Sequence, residues 1–412
     1  MNGREVGIKS VSILVALCAL CGVVHAQATD PFAELESPTR PPAPPPLLEK
    51  RPGFFQDNFT FKKELYSQLS YGPEKSPHGD ESRWYSRQSV GFETLKKFST
   101  TTSTIGSFDF QGRLVRRDHF IPVLDDEEGE SREGWFAEYH NVYADLYNIS
   151  NPILSDTQRS AAAGHVNFRL GRFYLPFGLN LQTDTHGTVL QLSNEQNFGF
   201  ERDWHAGFWG SISPKLNYDL YYLLGSGYDP SFAGQDGLVG SRVSLSNYYL
   251  NEFGLEGGIA VLAGQRQANH SMAMGDDALD ATNRDDFIRT HRYGVDARYT
   301  HLIPSGSLRG STEISFGDDQ SRDVLSQLYQ VDYLNTSRRW GLSSQYRRFY
   351  SNQDESTNGH VNSSIIGEVT WFFRNDIGNA VLHWVKLNVE RQLDRMEGQN
   401  GTVTTVQYYY YW

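Results

Sequence analysis

The sequence predicts an all-β fold, a transmembrane antiparallel β-barrel of about 16 strands, with 14 to 18 as the range. Three observations point there. Apolar residues recur with a period of two over most of the chain, and the opposite positions carry charge at mid-strand, so the second face must meet water. Residues 1–28 read as a secretory signal peptide, and no other apolar run approaches the roughly 20 residues of a membrane-spanning helix. The chain closes on VTTVQYYYYW, an alternating strand whose last side chain is aromatic.

Composition fits this class. Mean hydropathy of -0.52 and 38% apolar residues look soluble, yet 13% of residues are aromatic. A barrel wall reconciles these values, because only alternate residues meet lipid while the others face a wet lumen. The formal charge of -12 argues against a nucleic-acid partner.

Taken in order, the signal segment carries Arg4 and Lys9, then the apolar VSILVALCALCGVV and a small-residue cleavage site near Ala26 and Ala28. Cys18 and Cys21 both lie inside it, so the mature chain offers neither a disulfide nor a thiolate metal site. Leu17 and Leu20 precede these cysteines where a lipoprotein would want a small residue, so the reading is export without lipidation. Residues 29–83 follow as a periplasmic extension. Pro recurs from Pro31 to Pro52 as a polyproline-like spacer, with a docking arm as its alternative role, and FFQDNFTFKKELYSQLSYGPEKSPHGDESR is a lead-in with room for one helical turn.

The barrel is expected over 84–412, where 14 to 16 strand-length segments can be counted. In TIGSFDFQGRLVRR, Asp109 and Arg113 oppose Phe108, Phe110 and Leu114. Arg169 opposes Phe168 and Leu170. In HRYGVDARYTHL, Arg292, Asp296 and Arg298 oppose Tyr293, Val295, Ala297 and Tyr299. Arg309 and Glu313, then Arg347, Glu368, Lys386 and Glu390, repeat the pattern in later segments. These twelve charged residues are the candidate pore lining. Seven are basic and five acidic, so no ion preference follows. Tight turns at Pro214 and Pro304 contrast with the long polar insertions LDDEEGESREG and QANHSMAMGDDALDATNRDD, the contrast expected between periplasmic turns and external loops. With about 16 strands the lumen is too wide for side chains to fill, so an aqueous path is the default.

In the last ten residues Thr404, Val406, Tyr408, Tyr410 and Trp412 share one face, and Thr405, Gln407, Tyr409 and Tyr411 the other. This ending resembles the C-terminal signal of bacterial outer-membrane barrels. The resemblance makes Tyr408, Tyr410 and Trp412 an assembly signal and implies the barrel-assembly machinery as a partner.

The stretch NFRLGRFYLPFGLN contains Gly171, Arg172, Pro176, Phe177 and Gly178. Pro176 has no N–H to donate, so the strand must stop or bend there, and Gly178 permits the turn. A strand that ends in Pro-Phe-Gly and feeds a long polar loop resembles the phosphate-selective porin O and P family. That resemblance implies a Gram-negative outer-membrane porin: a water-filled channel for passive diffusion of small hydrophilic solutes or ions, assembled as a homotrimer in outer-membrane lipid. It also makes Gly178 to Trp204, with Asp184, His186 and Glu195, a candidate constriction loop, the alternative being an ordinary external loop. Phosphate selectivity is not carried over, since it needs several cations converging on one narrow point.

Two other classes compete. A barrel of this width could be a non-conducting sleeve around a partner such as a multihaem cytochrome in an electron-transfer conduit; the chain itself has no Cys-x-x-Cys-His. An outer-membrane hydrolase would need a Ser, a His and an acid together, but His301 and His383 have no Gly-x-Ser-x-Gly nearby and read as belt or rim histidines. No catalytic residue, metal or cofactor is assigned; His186, His270 and His291 lack metal-ligand spacing.

Overall fold

Each strand pairs with its neighbour in sequence, and the last pairs with the first. The computed structural model describes residues 59–73, 82–99, 104–118, 134–149, 166–179, 190, 193–198, 200–227, 236–267, 287–320, 322–352, 360–376, 381–394 and 401–412. Their strands are β1 (Phe59–Pro73), β2 (Ser82–Ser99), β3 (Thr104–Asp118), β4 (Gly134–Leu146), β5 (Asn167–Tyr174), β6 (Arg202–Ser213), β7 (Leu216–Leu223) and β8 (Leu238–Leu245). The second half supplies β9 (Leu255–Gln267), β10 (Phe287–Ile303), β11 (Gly306–Asp319), β12 (Arg322–Asn335), β13 (Trp340–Asn352), β14 (His360–Asp376), β15 (Val381–Gln392) and β16 (Thr402–Tyr411). Two short helices, α1 (Ser193–Phe198) and α2 (Asn247–Phe253), complete the elements among the described residues. All 16 strands form one closed antiparallel barrel.

Closure is made by β1 against β16, from Glu64 opposite Tyr411 to Tyr71 opposite Thr404. Two further backbone bonds seal the seam: Lys63 N–H to Trp412 O at 2.8 Å and Trp412 N–H to Lys63 O at 3.0 Å. The closed ring leaves no free first or last strand for another chain to extend, and the ladders satisfy backbone groups without water.

The barrel begins earlier than its sequence suggested. Phe59–Pro73, expected to be an unpaired lead-in, is β1, and β2 starts at Ser82, so the wall starts at residue 59 and not 84. The alternation is present but masked by Lys63 and Ser67 at outward positions and Tyr66 at an inward one. Phe61, Leu65, Leu69 and Tyr71 are exposed, while Glu64, Tyr66 and Ser70 are buried. Three strands, β5, β7 and β8, have eight residues each, shorter than the nine expected of a spanning strand. They flank the segment that folds into the barrel, described below.

Three of the connections at one end of the barrel are short turns. Pro214 and Lys215 join β6 to β7, Pro304 and Ser305 join β10 to β11, and four residues join β12 to β13. The antiparallel order puts the start of β1 and the end of β16 at this same end. The connections β3–β4, β5–β6 and β9–β10 belong to the opposite end, where β11–β12 is a short exception with Gln320 at φ 56°. The signal and Pro-rich segments, and the two acidic insertions apart from Gly134 and Gln267, lie outside the described residues.

The outer wall is apolar. Ile259, Val331, Ile365, Val369, Leu387 and Val406 are all exposed at mid-strand, a surface water would not favour and lipid does. Aromatic residues gather toward the turn end: Tyr410 stacks on Trp412 at 4.3 Å, and His383 packs among Phe373, Tyr408 and Tyr410 on the same outer face. Tyr299 and His301 stack similarly further round. These positions match an interfacial girdle.

A charge on this band is therefore expected to be costly. Leu387→Arg should destabilise the refolded protein by about 2–4 kcal/mol in lipid, whereas Arg309→Gln on the inner wall should cost under about 1 kcal/mol. Denaturant unfolding in bilayers measures both, and equal costs would contradict the assignment of faces.

Candidate functional site

β5 ends where Pro176 interrupts the ladder, and the chain then turns inward. Leu175 N–H still bonds Glu201 O at 3.0 Å, closing the neck of the segment. Phe177 N–H returns to Leu175 O at 2.8 Å, a γ-turn centred on Pro176. Gly178 at φ 75° takes the left-handed conformation that the next step requires. Pro176 O accepts the Tyr221 hydroxyl of β7 at 3.2 Å.

The segment is held against the inner wall by an apolar cluster. Leu175, Phe177, Phe198 and Phe200 pack with the inward residues Tyr221, Leu223, Leu238, Ala260 and Leu262 of β7, β8 and β9. Phe177 meets Phe198 edge-on at 5.2 Å. Its ring also occupies the place of a missing side chain on β10: a Cβ on Gly294 would lie 2.6 Å from the Phe177 ring. Polar bonds fix α1 over the same wall. Asn194 donates to Phe177 O at 2.8 Å, Ser315 of β11 donates to Asn197 at 2.7 Å, and Arg266 of β9 donates to Phe198 O at 3.0 Å.

Arg266 and Arg292 share one carboxylate, Asp319, at 3.1 and 2.6 Å, and all three are buried. Asp319 also accepts from Thr290 at 2.7 Å. Arg292, expected to line the pore, thus supports the wall beneath α1. Arg113 is likewise drawn into the wall by Glu64 at 2.5 Å and by the His140 ring. Arg347 bonds Glu390 and Ser364 at 3.0 and 2.7 Å. Asp109 is buried beside Glu93, whose carboxylate accepts from Tyr411 at 2.5 Å. Glu313 borders the small space under Phe177 and Gly178.

Toward the turn end the lumen opens into a chamber of about 970 Å³. Four expected pore-liners face it: Arg169, Arg298, Arg309 and Lys386. Each is held by an acid: Arg169 by both Asp145 oxygens at 2.7 and 2.9 Å, Arg298 by Glu256 at 3.2 Å, Arg309 by Asp332 at 3.0 Å and Lys386 by Glu368 at 3.0 Å. Asp296, another expected liner, grips Arg242 of β8 at 2.7 Å. Arg242 faces the chamber and was not singled out from sequence, although Val239 and Val243 around it show the period of two. Trp384, Tyr409 and Tyr411 face it as well.

Around the strand-end motif, Gly171 pairs with Tyr143 of β4. Arg172 is buried and donates to the carbonyls of Tyr139, His140 and Gly227, tying β4 and the β7–β8 connection to β5. Glu195 lies in α1, but its side chain, like all of Asp184 and His186, is outside the described residues, and Trp204 belongs to β6. The inward segment therefore ends at Glu201.

The barrel aligns with solved outer-membrane channels along nearly their whole length. Against OprB of Pseudomonas putida, in its high-pH structure, the match covers 86% of this chain and 94% of that one at 11% identity, with a TM-score of 0.55. For OmpF of Salmonella typhi, solved in complex with daunomycin, the figures are 86%, 97%, 12% and 0.53. The anion-selective porin from Comamonas acidovorans gives 86%, 98%, 11% and 0.51. The fold is that of a porin. No protein-family model and no curated protein sequence matches the chain. At such identities the likeness speaks for the architecture alone.

The seat of Phe177 on Gly294 gives a direct test of the inward segment. Gly294→Leu should overpack the contact by about 1–3 kcal/mol and unseat the segment while the barrel stays closed. Limited proteolysis should then cut between residues 175 and 201 about tenfold faster, with heat-modifiable gel mobility unchanged.

Proposed function

We propose that the protein is a passive diffusion channel of the Gram-negative outer membrane, carrying small hydrophilic solutes or ions. The observation that carries this reading is the chamber: a space of about 970 Å³ inside a closed barrel, lined by charged side chains, behind an outer wall that is apolar. Such a wall is suited to lipid outside and water inside. The inward segment narrows the path, and the residues around it and in the chamber set rate and selectivity. This favours a channel over a sleeve for a multihaem cytochrome, because the chain's own segment occupies lumen that a threaded partner would need.

The finer parts of the reading rest on sequence. The Pro-Phe-Gly sequence that follows β5 supports a loose relation to the phosphate-selective porin O and P family. Export through a cleaved peptide at 1–28, a periplasmic Pro-rich extension up to the start of β1, recognition of Tyr408, Tyr410 and Trp412 by the barrel-assembly machinery, and a homotrimeric state belong to the same proposal.

Planar-bilayer recording of the refolded protein tests it. Stepwise single-channel openings are expected in KCl, and a salt gradient should give a reversal potential of the sign for anion preference, since Arg169, Arg242, Arg298, Arg309 and Lys386 face the chamber against Glu93, Asp219 and Glu256. A correctly folded barrel that never conducts would refute the channel.

A further inference from the structure

We infer that α2 and the β6–β7 turn form a seat for a phospholipid whose headgroup carries both a phosphate and an ammonium, an inference that rests on the outer-membrane reading for the lipid around the wall. α2 stands at the turn end between β8 and β9, and both of its ends are fixed. Ser246 caps it, accepting from Tyr248 N–H at 3.3 Å. The same residue ties it to the β6–β7 turn, its hydroxyl donating to Pro214 O at 2.6 Å and its N–H to Lys215 O at 3.0 Å. At the other end Gly254, left-handed at φ 65°, donates to Leu250 O at 2.9 Å and accepts from Thr300 N–H of β10 at 2.8 Å. Thr300 lies between Tyr299 and His301, which stack in the girdle. The helix is therefore held at the height of the lipid interface.

Its two sides differ. Asn247 and Leu250 border the chamber. By helical spacing Tyr248, Tyr249 and Glu252 lie on the far side, with Phe253 next to them. Tyr248 and Phe253 are 42% and 57% exposed, and with Tyr249 they form one aromatic patch, ring centres 5.4 and 6.2 Å apart. Ile212 and Leu216, on the strands that flank Lys215, are exposed as well. Such a surface, carried beside a wet chamber, suits the boundary between acyl chains and headgroups.

Two charges frame the patch. The Lys215 ammonium stands 5.2 Å from the Tyr248 ring centre. Glu252 follows Tyr248 by four residues, which puts their Cβ atoms ~5–6 Å apart on one side of the helix. Both side chains are exposed, and among the described residues neither meets an opposite charge, the other included. A cation and an acid on either side of a tyrosine match a zwitterionic headgroup lying along the surface: its phosphate on Lys215, its ammonium on Glu252, its hydrocarbon on Tyr248 and Phe253. A purely anionic headgroup would meet Glu252 as a like charge. A protein partner would need the patch to stand clear of the leaflet.

Native mass spectrometry of the detergent-refolded protein, titrated with phosphatidylethanolamine or with phosphatidylglycerol of the same acyl chains, tests the seat. Phosphatidylethanolamine should be retained about fivefold more tightly, the upper range for one exposed ion pair. Glu252→Gln should remove that preference without weakening phosphatidylglycerol, whereas Lys215→Gln should weaken both lipids about threefold. Tyr248→Ala with Phe253→Ala should weaken both about tenfold. Heat-modifiable gel mobility checks that each variant still folds. Equal retention of the two lipids, or a preference that survives Glu252→Gln, would overturn the seat. So would a Tyr248→Ala, Phe253→Ala variant that changes the number of subunits and not the bound lipid, since the patch would then join copies of this chain. Planar-bilayer conductance separates this inference from the channel: a barrel that conducts without lipid preference loses the seat alone, and one that prefers phosphatidylethanolamine but never conducts loses the channel alone.

Discussion

Backbone groups in a bilayer have no water to turn to, and the closing of β1 on β16 answers that constraint for the whole molecule. Sixteen strands leave no unpaired ladder only because the last one returns to the first. Trp412, bonded through both its backbone groups to Lys63, is the final residue that this closure needs. The aromatic ending is thus a structural seam before it is anything else. Its outward rings sit in the interfacial girdle, and its inward ones, Tyr409 and Tyr411, belong to the chamber.

A closed barrel of this width cannot fill its own interior, so the inner wall must be covered by water or by protein. This chain does both. Toward the turn end the wall is charged and wet, and on the β7–β9 side it is apolar and covered by Leu175, Phe177, Phe198 and Phe200. The two regions differ in what they require of sequence. Wet wall tolerates charge at every inward position, while covered wall needs apolar residues on both faces of the strand. The run Ile259-Ala-Val-Leu262 shows the latter: Ile259 and Val261 meet lipid, and Ala260 and Leu262 meet the inward segment.

That difference explains what the sequence made legible. Fold class and strand number could be read because the period of two survives wherever the lumen is wet, as in Arg292 to Tyr299. The first strand was missed because Lys63 and Ser67 interrupt its outward face, although pairing on both sides makes it strand regardless. Pro176 has no N–H for the ladder, and β5 ends two residues before it. Inward-facing positions were legible too, but not their neighbours. Nothing local distinguishes Arg292, shut beneath α1, from Arg298, six residues on along the same strand and facing the chamber. That outcome depends on a segment some hundred residues earlier in the chain. The doubly apolar run at Ile259 was the available signal that part of the wall is covered.

The pairing of nearly every inward cation with an acid has a physical reason and a consequence. In the confined lumen an unpaired guanidinium costs desolvation energy, and a neighbouring strand offers a carboxylate directly opposite for Arg169–Asp145, Arg298–Glu256 and Arg309–Asp332, and two residues along the ladder for Lys386–Glu368. Such pairs lower the net charge but not the directionality of the site, because a carboxylate occupies at most one edge of a guanidinium. Arg309, which gives only Nε to Asp332, keeps the rest of its donors for the chamber. Selectivity in this lumen therefore depends less on the near-balance of basic and acidic residues than on which member of each pair stands in front. In the Arg242–Asp296 and Arg309–Asp332 pairs it is the cation that lines the chamber while the acid does not, so a wall that is close to neutral in sum presents a basic surface to whatever passes.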